Sequence, residues 1–272
     1  MIKQLTSILL FVAAVGAETA FAADMAVKAP PPSVVSAPYS WTGFYLGVNG
    51  GYGWDPTNVN FDPGTFGAIV FAPNFVPTSG APVSLSVHPK GGLGGVHAGY
   101  NWQAGTWLYG VEADYDAADM NGSAAAPFSV VGKEAGDAAA INGSVGLTQR
   151  IDSFGTIRGR LGWAANTSLF YVTGGGGWAH VRTTLNTFGV SVSGFNPGAA
   201  SLAFLTATSG DVRWGPAVGA GVEMAIARNW IVGAEYLLID ISGSPSLAFP
   251  GASISGNLPI QTARVRLSYL FH

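Results

Sequence analysis

Residues 41–54 read WTGFYLGVNGGYGW, and large apolar side chains alternate in this stretch with small or polar ones. Phe44, Leu46, Val48 and Tyr52 share one parity, whereas the other parity holds glycine and asparagine with Tyr45 among them. Successive side chains of a β-strand point to opposite faces. The stretch therefore predicts a strand with one apolar face and one face of small or polar residues.

The same alternation recurs seven more times along the chain. In these segments charged residues share a face with glycine, and aromatic and aliphatic residues take the opposite face. A soluble β-sandwich or ligand-binding calyx would turn its apolar face to the core, so this sequence would give it a polar core. Lipid on the apolar side fits the pattern better. The eight predicted strands span about residues 43–52, 92–102, 107–116, 149–163, 168–181, 212–226, 230–238 and 263–271.

The fifth of these segments is ambiguous in its faces. Phe170, Val172 and Trp178 compete with Leu169 and Tyr171 for the lipid side, and we assign that side to the first set. A run of four glycines in the same segment lacks the lysine and the helix of a phosphate-binding loop. Close backbone packing or bending explains the run better.

The composition supports a membrane environment. Hydrophobic residues make up 48% of the chain and charged residues 10%, with a mean hydropathy of +0.33, which is too apolar for an ordinary soluble domain. Glycine and polar residues interrupt every apolar stretch after residue 22, so none is long enough for a spanning helix. Strands in lipid must close into a barrel, because an open sheet edge finds no hydrogen-bonding partners there. We therefore predict an all-β fold, an eight-stranded antiparallel transmembrane β-barrel with up-and-down meander topology.

Cysteine content and charge exclude several function classes. The chain has no cysteine, so a disulfide framework and thiolate metal or redox chemistry are absent. Its net charge of −3 comes without a basic block, and we therefore expect no nucleic-acid partner.

The first 22 residues have the features of a cleaved signal peptide. Lys3 precedes an apolar stretch at residues 8–15, and Ala20-Phe21-Ala22 matches a small-x-small cleavage site. Residues 23–38 form a proline-rich segment, which we interpret as a periplasmic leader. The barrel is predicted to occupy residues 39–272, and the chain is expected in the outer membrane.

The connections alternate in length. Short ones at residues 103–106, 164–167 and 227–229 interleave with long ones at 55–91, 119–143, 183–211 and 242–260. Outer-membrane barrels have short periplasmic turns and long extracellular loops, so this alternation predicts the orientation. Tryptophans lie beside both kinds of connection and predict two aromatic girdles at the membrane interfaces: Trp54, Trp102, Trp107, Trp163, Trp214 and Trp230.

Charged residues at inward positions predict an ion-pair network. An eight-stranded barrel is about wide enough for side chains to fill, and buried charges must pair to offset desolvation. The alternatives are a conduction path, which would make the protein a narrow porin, or a catalytic carboxylate pair. Four acids and four arginines are predicted to fill the lumen: Glu112, Asp114, Glu223, Glu235, Arg158, Arg160, Arg264 and Arg266.

No further site is predicted from the histidines. His97 faces inward, and His88, His180 and His272 lie at or beyond strand ends without a second ligand at metal-site spacing. We expect no metal and no cofactor. A lipid-modifying enzyme would need a Ser/His/acid arrangement at the membrane interface, and parity brings no such set together. An interfacial enzyme is therefore a third interpretation, and no enzyme is predicted.

Three segments carry a resemblance to a known family. They are WTGFYLGVNGGYG at 41–53, FGTIRGRLG at 154–162, and GAGVE at 219–223 followed by Asn229-Trp230. Together they resemble the alphaproteobacterial outer-membrane β-barrel proteins of the RopB-like porin family, which are related to the OmpA transmembrane domain. The resemblance covers nearly the whole mature chain and implies an OmpA- or OmpX-like barrel.

The resemblance also implies functions and partners. It implies an abundant surface protein that supports envelope integrity, with haem binding or host contact through the loops in some relatives, for which His88 and His180 are the candidate ligands. Outer-membrane lipids and lipopolysaccharide would surround it, and periplasmic chaperones and the barrel-assembly machinery would handle it during biogenesis. The terminal pattern Leu267, Tyr269 and Phe271 is similar to the signal read by that machinery, although His272 follows it here.

Overall fold

The computed structural model describes residues 39–55, 57–70, 75–194, 205–241, 252–253 and 258–272. The predicted signal peptide (1–22) and leader (23–38) lie outside these residues. No described helix is long and apolar enough to cross a membrane. The described elements are β1 (Gly43–Trp54), β2 (Thr57–Phe61), α1 (Pro63–Val70), β3 (Phe75–Gly80), β4 (Val83–Val87), β5 (Lys90–Ala104), β6 (Trp107–Glu134), β7 (Asp137–Ala165), β8 (Ser168–Ser193), β9 (Thr206–Ala225), β10 (Trp230–Ile241), β11 (Ala252–Ser253) and β12 (Leu258–Phe271).

Eight of these strands form a closed antiparallel ring. Its order is β1, β5, β6, β7, β8, β9, β10 and β12, and β12 pairs back to β1. Ring neighbours follow one another along the chain, so the topology is the predicted up-and-down meander. Closure gives both sides of each ring strand a partner, as a lipid environment requires. The predicted eight-stranded β-barrel is confirmed.

Side chains alternate between the two faces of the ring as predicted. In the ambiguous fifth strand, which is β8, Phe170 and Val172 are exposed while Leu169 and Tyr171 are buried inside. The short turns are tight, because Ala104 pairs with Trp107 at the first of them. The turns between β7 and β8 and between β9 and β10 lie at residues 166–167 and 226–229. We call this side of the barrel the turn end.

The opposite side, which we call the extended end, differs from the prediction. Residues 119–143 do not form an irregular connection, because β6 and β7 continue as one hairpin whose turn is Ala135-Gly136. Both turn residues have positive φ, 52° and 99°, which matches the twist of a tight hairpin. In the 183–211 segment, β8 continues to Ser193 and β9 begins at Thr206. The sequence of these extensions is rich in small residues, so its alternation is weak.

The extended end has a hydrophobic core of its own. The first long connection supplies β2, α1, β3 and β4, and its Phe61 and Phe66 pack on Phe128 of β6, with ring centroids 5.4 and 5.5 Å away. Further buried residues from β3, β4, β6, β7 and β8 complete this extended-end core: Phe75, Leu85, Val87, Val130, Ala139, Ile141, Val145, Leu147, Leu185 and Val190. The sequence predicted surface loops here, and the structure has packed elements instead.

Candidate functional site

A layer of charged side chains lies buried inside the ring, and we call it the charged layer. None of the eight predicted side chains is more than 3% exposed. The inward face of each strand points them toward the barrel axis. The structure brings them together from five strands: Glu112 and Asp114 from β6, Arg158 and Arg160 from β7, Glu223 from β9, Glu235 from β10, and Arg264 and Arg266 from β12.

Arg158 lies at the centre of this layer. Its Nη2 donates to Glu112 Oε1 at 2.8 Å and to Asp114 Oδ2 at 2.7 Å. Its Nη1 donates to Glu235 Oε1 and to Thr173 Oγ1, both at 2.7 Å. Strands β6 and β10 lie opposite each other in the ring. The planar guanidinium therefore ties carboxylates from opposite walls together.

Two arginines of β12 complete the connections across the interior. Arg264 donates from Nη1 to Asp116 Oδ2 at 2.6 Å and from Nη2 to Glu235 Oε1 at 2.7 Å. Arg266 forms ion pairs with both Glu112 and Glu235. Glu235 thus contacts three guanidinium groups, two from β12 and one from β7. Charge-assisted contacts of this kind are the strongest hydrogen bonds that side chains make.

Arg160 is held by two tyrosines and two acids, the more distant of which is Glu112, whose Oε2 lies 3.8 Å from Arg160 Nη1. Its Nη2 lies 2.5 Å from Glu223 Oε2, and its guanidinium lies over the Tyr171 ring, 3.7 Å from the centroid, a cation–π contact. The hydroxyl of Tyr45 accepts from Arg160 Nη1 at 3.3 Å and donates to Glu112 Oε2 at 2.7 Å. One feature of the sequence indicates this role, since Tyr45 is a large side chain on the otherwise small or polar face of β1.

Asp116 also belongs to the charged layer, and the predicted balance of four acids and four arginines is incomplete. Its side chain is buried and its Oδ2 pairs with Arg264. The layer therefore holds five carboxylates and four guanidinium groups. Hydroxyl groups supply further hydrogen-bond donors to these carboxylates, since Thr156 Oγ1 donates to Asp114 Oδ2 at 2.8 Å. The alternation of strand three places Asp116 inward, but it cannot show which inward acid meets which arginine.

Apolar layers close the interior on both sides of the charged layer. Toward the turn end, Trp41 is fully buried and its Nε1 donates to the backbone oxygen of Asn166 at 3.1 Å. It packs in a lower apolar layer with Tyr45, Leu108, Ala164, Leu169, Tyr171, Ile231 and Leu270. Toward the extended end lies an upper apolar layer: Leu93, Met120, Ile151, Phe154, Ala179, Val181, Ala217, Leu237, Ile239, Ile241 and Ile260. Apolar side chains therefore flank the charged layer toward both ends.

A buried histidine–serine pair lies in the same interior. His97 Nε2 is 2.7 Å from Ser268 Oγ, a pairing that the sequence did not predict. A Ser/His/acid site needs a carboxylate on the other ring nitrogen, and in the described part of the chain His97 Nδ1 has no hydrogen-bond partner. His97 is only 2% exposed, so a lipid substrate cannot reach it. The pair joins β5 to β12 across β1.

The other histidines lie apart from one another. His180 Nδ1 is 3.3 Å from Asp152 Oδ2 on the outer wall. His88 is exposed between β4 and β5, and His272 Nε2 lies 3.3 Å from the backbone oxygen of Arg228. Within the described ranges, no group of three or more His, Cys, Asp or Glu side chains could hold a metal ion.

A family comparison identifies the class of this barrel. Residues 7–271 match the model of the outer membrane protein β-barrel domain. The match includes all eight ring strands. The chain belongs to the outer-membrane protein β-barrel family. It is a protein of the outer membrane, as the sequence predicted.

Relatives in this family agree with the predicted resemblance to alphaproteobacterial proteins. The chain is 32% identical over 270 residues to the 31 kDa outer-membrane immunogenic protein of Brucella melitensis biotype 1, covering 97% of this chain and 98% of the relative. It is 28% identical over 203 residues to a 22 kDa outer membrane protein of Rhizobium leguminosarum bv. viciae, covering 74% and 64%. Among solved structures, the outer membrane protein OprG of Pseudomonas aeruginosa aligns with a TM-score of 0.39 and 14% identity over 85% of this chain and 97% of that chain.

The outer wall of this outer-membrane barrel carries aromatic side chains at two levels. Trp102, Trp107, Trp163 and Trp230 are exposed close to the turn end. At the other level Trp54 packs on Tyr236 with centroids 6.2 Å apart, and Trp214 lies 6.5 Å from Trp178. The predicted girdle set omitted Trp178, which shares this upper level.

The C-terminal pattern lies on the outward face of β12, the strand that closes the ring. Tyr269 lies between Trp230 and Phe271, with ring centroids 5.2 and 4.9 Å away. Phe271 is directly opposite Phe44 of β1, and Leu267 is exposed on the same face. The pattern thus forms a continuous apolar strip beside the β1–β12 closure.

Proposed function

We propose that this protein is a structural outer-membrane barrel with a sealed interior, which supports envelope integrity and surface interactions. The charged layer between two apolar layers carries the proposal. A pore needs a continuous path of water, and the interior of an eight-stranded barrel is only about wide enough for side chains. Guanidinium and carboxylate groups from opposite walls meet on the barrel axis, with the side chain of Arg158 completely buried. Ions passing through would have to break these pairs.

Conductance across a planar bilayer tests the sealed interior against the narrow-porin alternative. The refolded monomer is first checked by its heat-modifiable gel mobility, and a water-filled porin reconstituted in the same way serves as the positive control. We expect no steady single-channel conductance above the bilayer background. A large, steady conductance that appears only with the heat-modifiable form would overturn the proposal in favour of a porin.

We propose further that the extended end faces the outside of the cell. The short turns interleave with the long connections, and the described residues begin and end at the turn end, at Tyr39 and His272. Since the chain has no cysteine, single cysteines report orientation without a background. Lys133→Cys at the hairpin tip should react with a membrane-impermeant maleimide on intact cells, and Arg228→Cys at a short turn should react only after lysis. The reverse pattern would reject this orientation.

The extended end suits a role in surface contact. Its packed core holds β2, α1 and the upper parts of β6, β7 and β8 together, so its outer surface is preorganised, and little ordering entropy would oppose binding there. We propose host or surface ligands as partners of this end. We propose no catalytic role, because the His97–Ser268 pair lacks a carboxylate on His97 Nδ1 and is buried away from any substrate.

We propose that the two aromatic levels are the membrane girdles and that Leu267, Tyr269 and Phe271 form the assembly signal. Their outward positions beside the closing strand pair support this. Phe271→Ala should lower the amount of heat-modifiable barrel in the outer membrane, whereas removal of His272 should leave it unchanged. Equal assembly of the Phe271 variant and the unaltered protein would contradict the signal.

A further inference from the structure

A row of basic side chains crosses the outer wall at and above the upper aromatic level. Strands β5 to β8 pair so that Lys90 is opposite Asn121, Asn121 opposite Arg150, and Arg150 opposite Arg182. All four side chains face outward and are exposed. Three of the four are cationic, so we call this line the basic row. Adjacent strands are about 4.8 Å apart, so the row spans roughly 14 Å of the wall.

The height of the basic row is set by the aromatic residues beneath it. Arg182 follows Trp178 by four residues on the same face of β8. With about 3.3 Å per residue and a strand tilt near 40°, Arg182 lies about 10 Å beyond the Trp178 ring along the membrane normal, whereas Lys90, at the other end of the row, is directly opposite Trp54 of β1. Tryptophans of an aromatic girdle mark the level where the headgroups begin. The basic row therefore rises from the upper aromatic level at Lys90 into the level of the lipid headgroups at Arg182.

Two β-bulges place acids directly below the row. The β6–β7 register shifts between Ala117 and Met120, and the β7–β8 register shifts between Ile151 and Ser153. These irregularities contain Asp119 and Asp152. Bulges of this kind redirect side chains and often lie beside functional sites.

The acids satisfy Arg150 but leave cationic groups available. Arg150 lies 2.6 Å from Asp152 Oδ1 and 3.1 Å from Asp119 Oδ1. Arg182 reaches Asp152 only at 3.9 Å, and Lys90 forms no ion pair with any described residue. Like charges directly opposite on paired strands destabilise a sheet. An anion beside the Arg150–Arg182 pair would relieve that repulsion.

We propose that the basic row binds the phosphate groups of lipid A, the membrane anchor of lipopolysaccharide in the outer leaflet. Guanidinium groups bind phosphate oxygens in a bidentate manner, and the span of the row lets it hold two phosphates at once. His180 lies on the same face of β8 between Trp178 and Arg182, beside Asp152. This assignment rests on the orientation proposed above, since lipid A occupies the outer leaflet.

The test measures lipid A binding to the refolded full-length protein in detergent. The probe is bisphosphorylated lipid A, and the variant combines Lys90→Gln, Arg150→Gln and Arg182→Gln. We expect about a fivefold loss of affinity for each basic residue removed, which is about a hundredfold for the triple variant. Lys133→Gln, an exposed basic residue at the hairpin tip, is the matched control and should bind as the unaltered protein does. Heat-modifiable mobility shows that every variant has folded.

Three results would overturn the proposal. The first is unchanged lipid A affinity in the folded triple variant. The second is equal affinity of the unaltered protein for dephosphorylated lipid A. The third is displacement of lipid A by inorganic phosphate at equal concentration, which would assign the row to free phosphate. If Arg228→Cys, and not Lys133→Cys, were labelled on intact cells, the proposed orientation would be rejected as well. If Lys133→Cys were labelled as expected and the triple variant still bound lipid A with unchanged affinity, only this inference would be rejected.

Discussion

Replacement of Arg158 by methionine should destabilise the barrel strongly. The side chain of Arg158 is completely buried and contacts Glu112, Asp114 and Glu235 at 2.7–2.8 Å. The variant keeps most of the side-chain volume but leaves five carboxylates facing three guanidinium groups. Removing one partner of a buried ion pair costs about 3–5 kcal/mol, because the remaining charge stays desolvated. We expect a loss of that size in the free energy of unfolding.

Urea unfolding of the refolded protein in detergent micelles measures this loss, with folded and unfolded forms separated by their gel mobility. Arg150→Met is the matched control, because Arg150 also contacts two carboxylates but its side chain is 50% exposed. Exposed pairs contribute only about 0.2–1 kcal/mol. The two variants change the same residue type on the same strand and differ in burial.

A loss below about 1 kcal/mol for Arg158→Met, equal to that of the exposed control, would refute the reasoning. It would mean that water reaches the charged layer and hydrates the unpaired carboxylates. The sealed interior would then be wrong, because a hydrated layer is a step toward a conducting lumen.

Three further predictions concern other layers of the molecule. Phe128→Ala should open the extended-end core, at a cost of about 3–5 kcal/mol, so that protease cleaves this end while the ring keeps its heat-modifiable mobility. Gly99→Ala should block barrel formation, since its added carbon would lie 2.5 Å from the backbone oxygen of Val111, whereas Gly92→Ala on the same strand meets nothing within 4 Å and should fold in normal yield. Asp116→Asn should cost less in urea unfolding than Arg158→Met, because it removes the surplus carboxylate.

The eight ring strands could be predicted from the sequence alone. Each ring strand has one face toward lipid and one face toward a narrow interior. Lipid favours large apolar side chains and the interior favours small or polar ones, so the two kinds alternate along the strand. Residues 44–52 display this contrast clearly, as do the segments with Arg158 and Arg264. Short turns gave the strand count and the order of the meander. The charged positions on the inward face then supplied eight of the nine members of the charged layer.

The structure of the extended end could not be predicted in the same way. Beyond the membrane, the outer faces of β6 and β7 meet water, so the contrast between the faces weakens, and a stretch such as 121–130, with its serines and alanines, gives little periodicity. The bulge between Ile151 and Ser153 also reverses the parity of β7 without any signal in the sequence. Ile151 therefore faces inward, and Arg150 joins the outward row.

The sequence by itself determined the class of fold, the outer-membrane location and the face of the ring side chains outside the bulge in β7, because these follow from local periodicity and composition. Only the tertiary structure decided which inward side chains meet. Glu112 and Arg266 are 154 residues apart in the chain, and their contact depends on the register of every strand between them and on closure of β12 onto β1. Closure also stacked the apolar layers above and below the charges, and this stacking supports the proposal of a sealed interior.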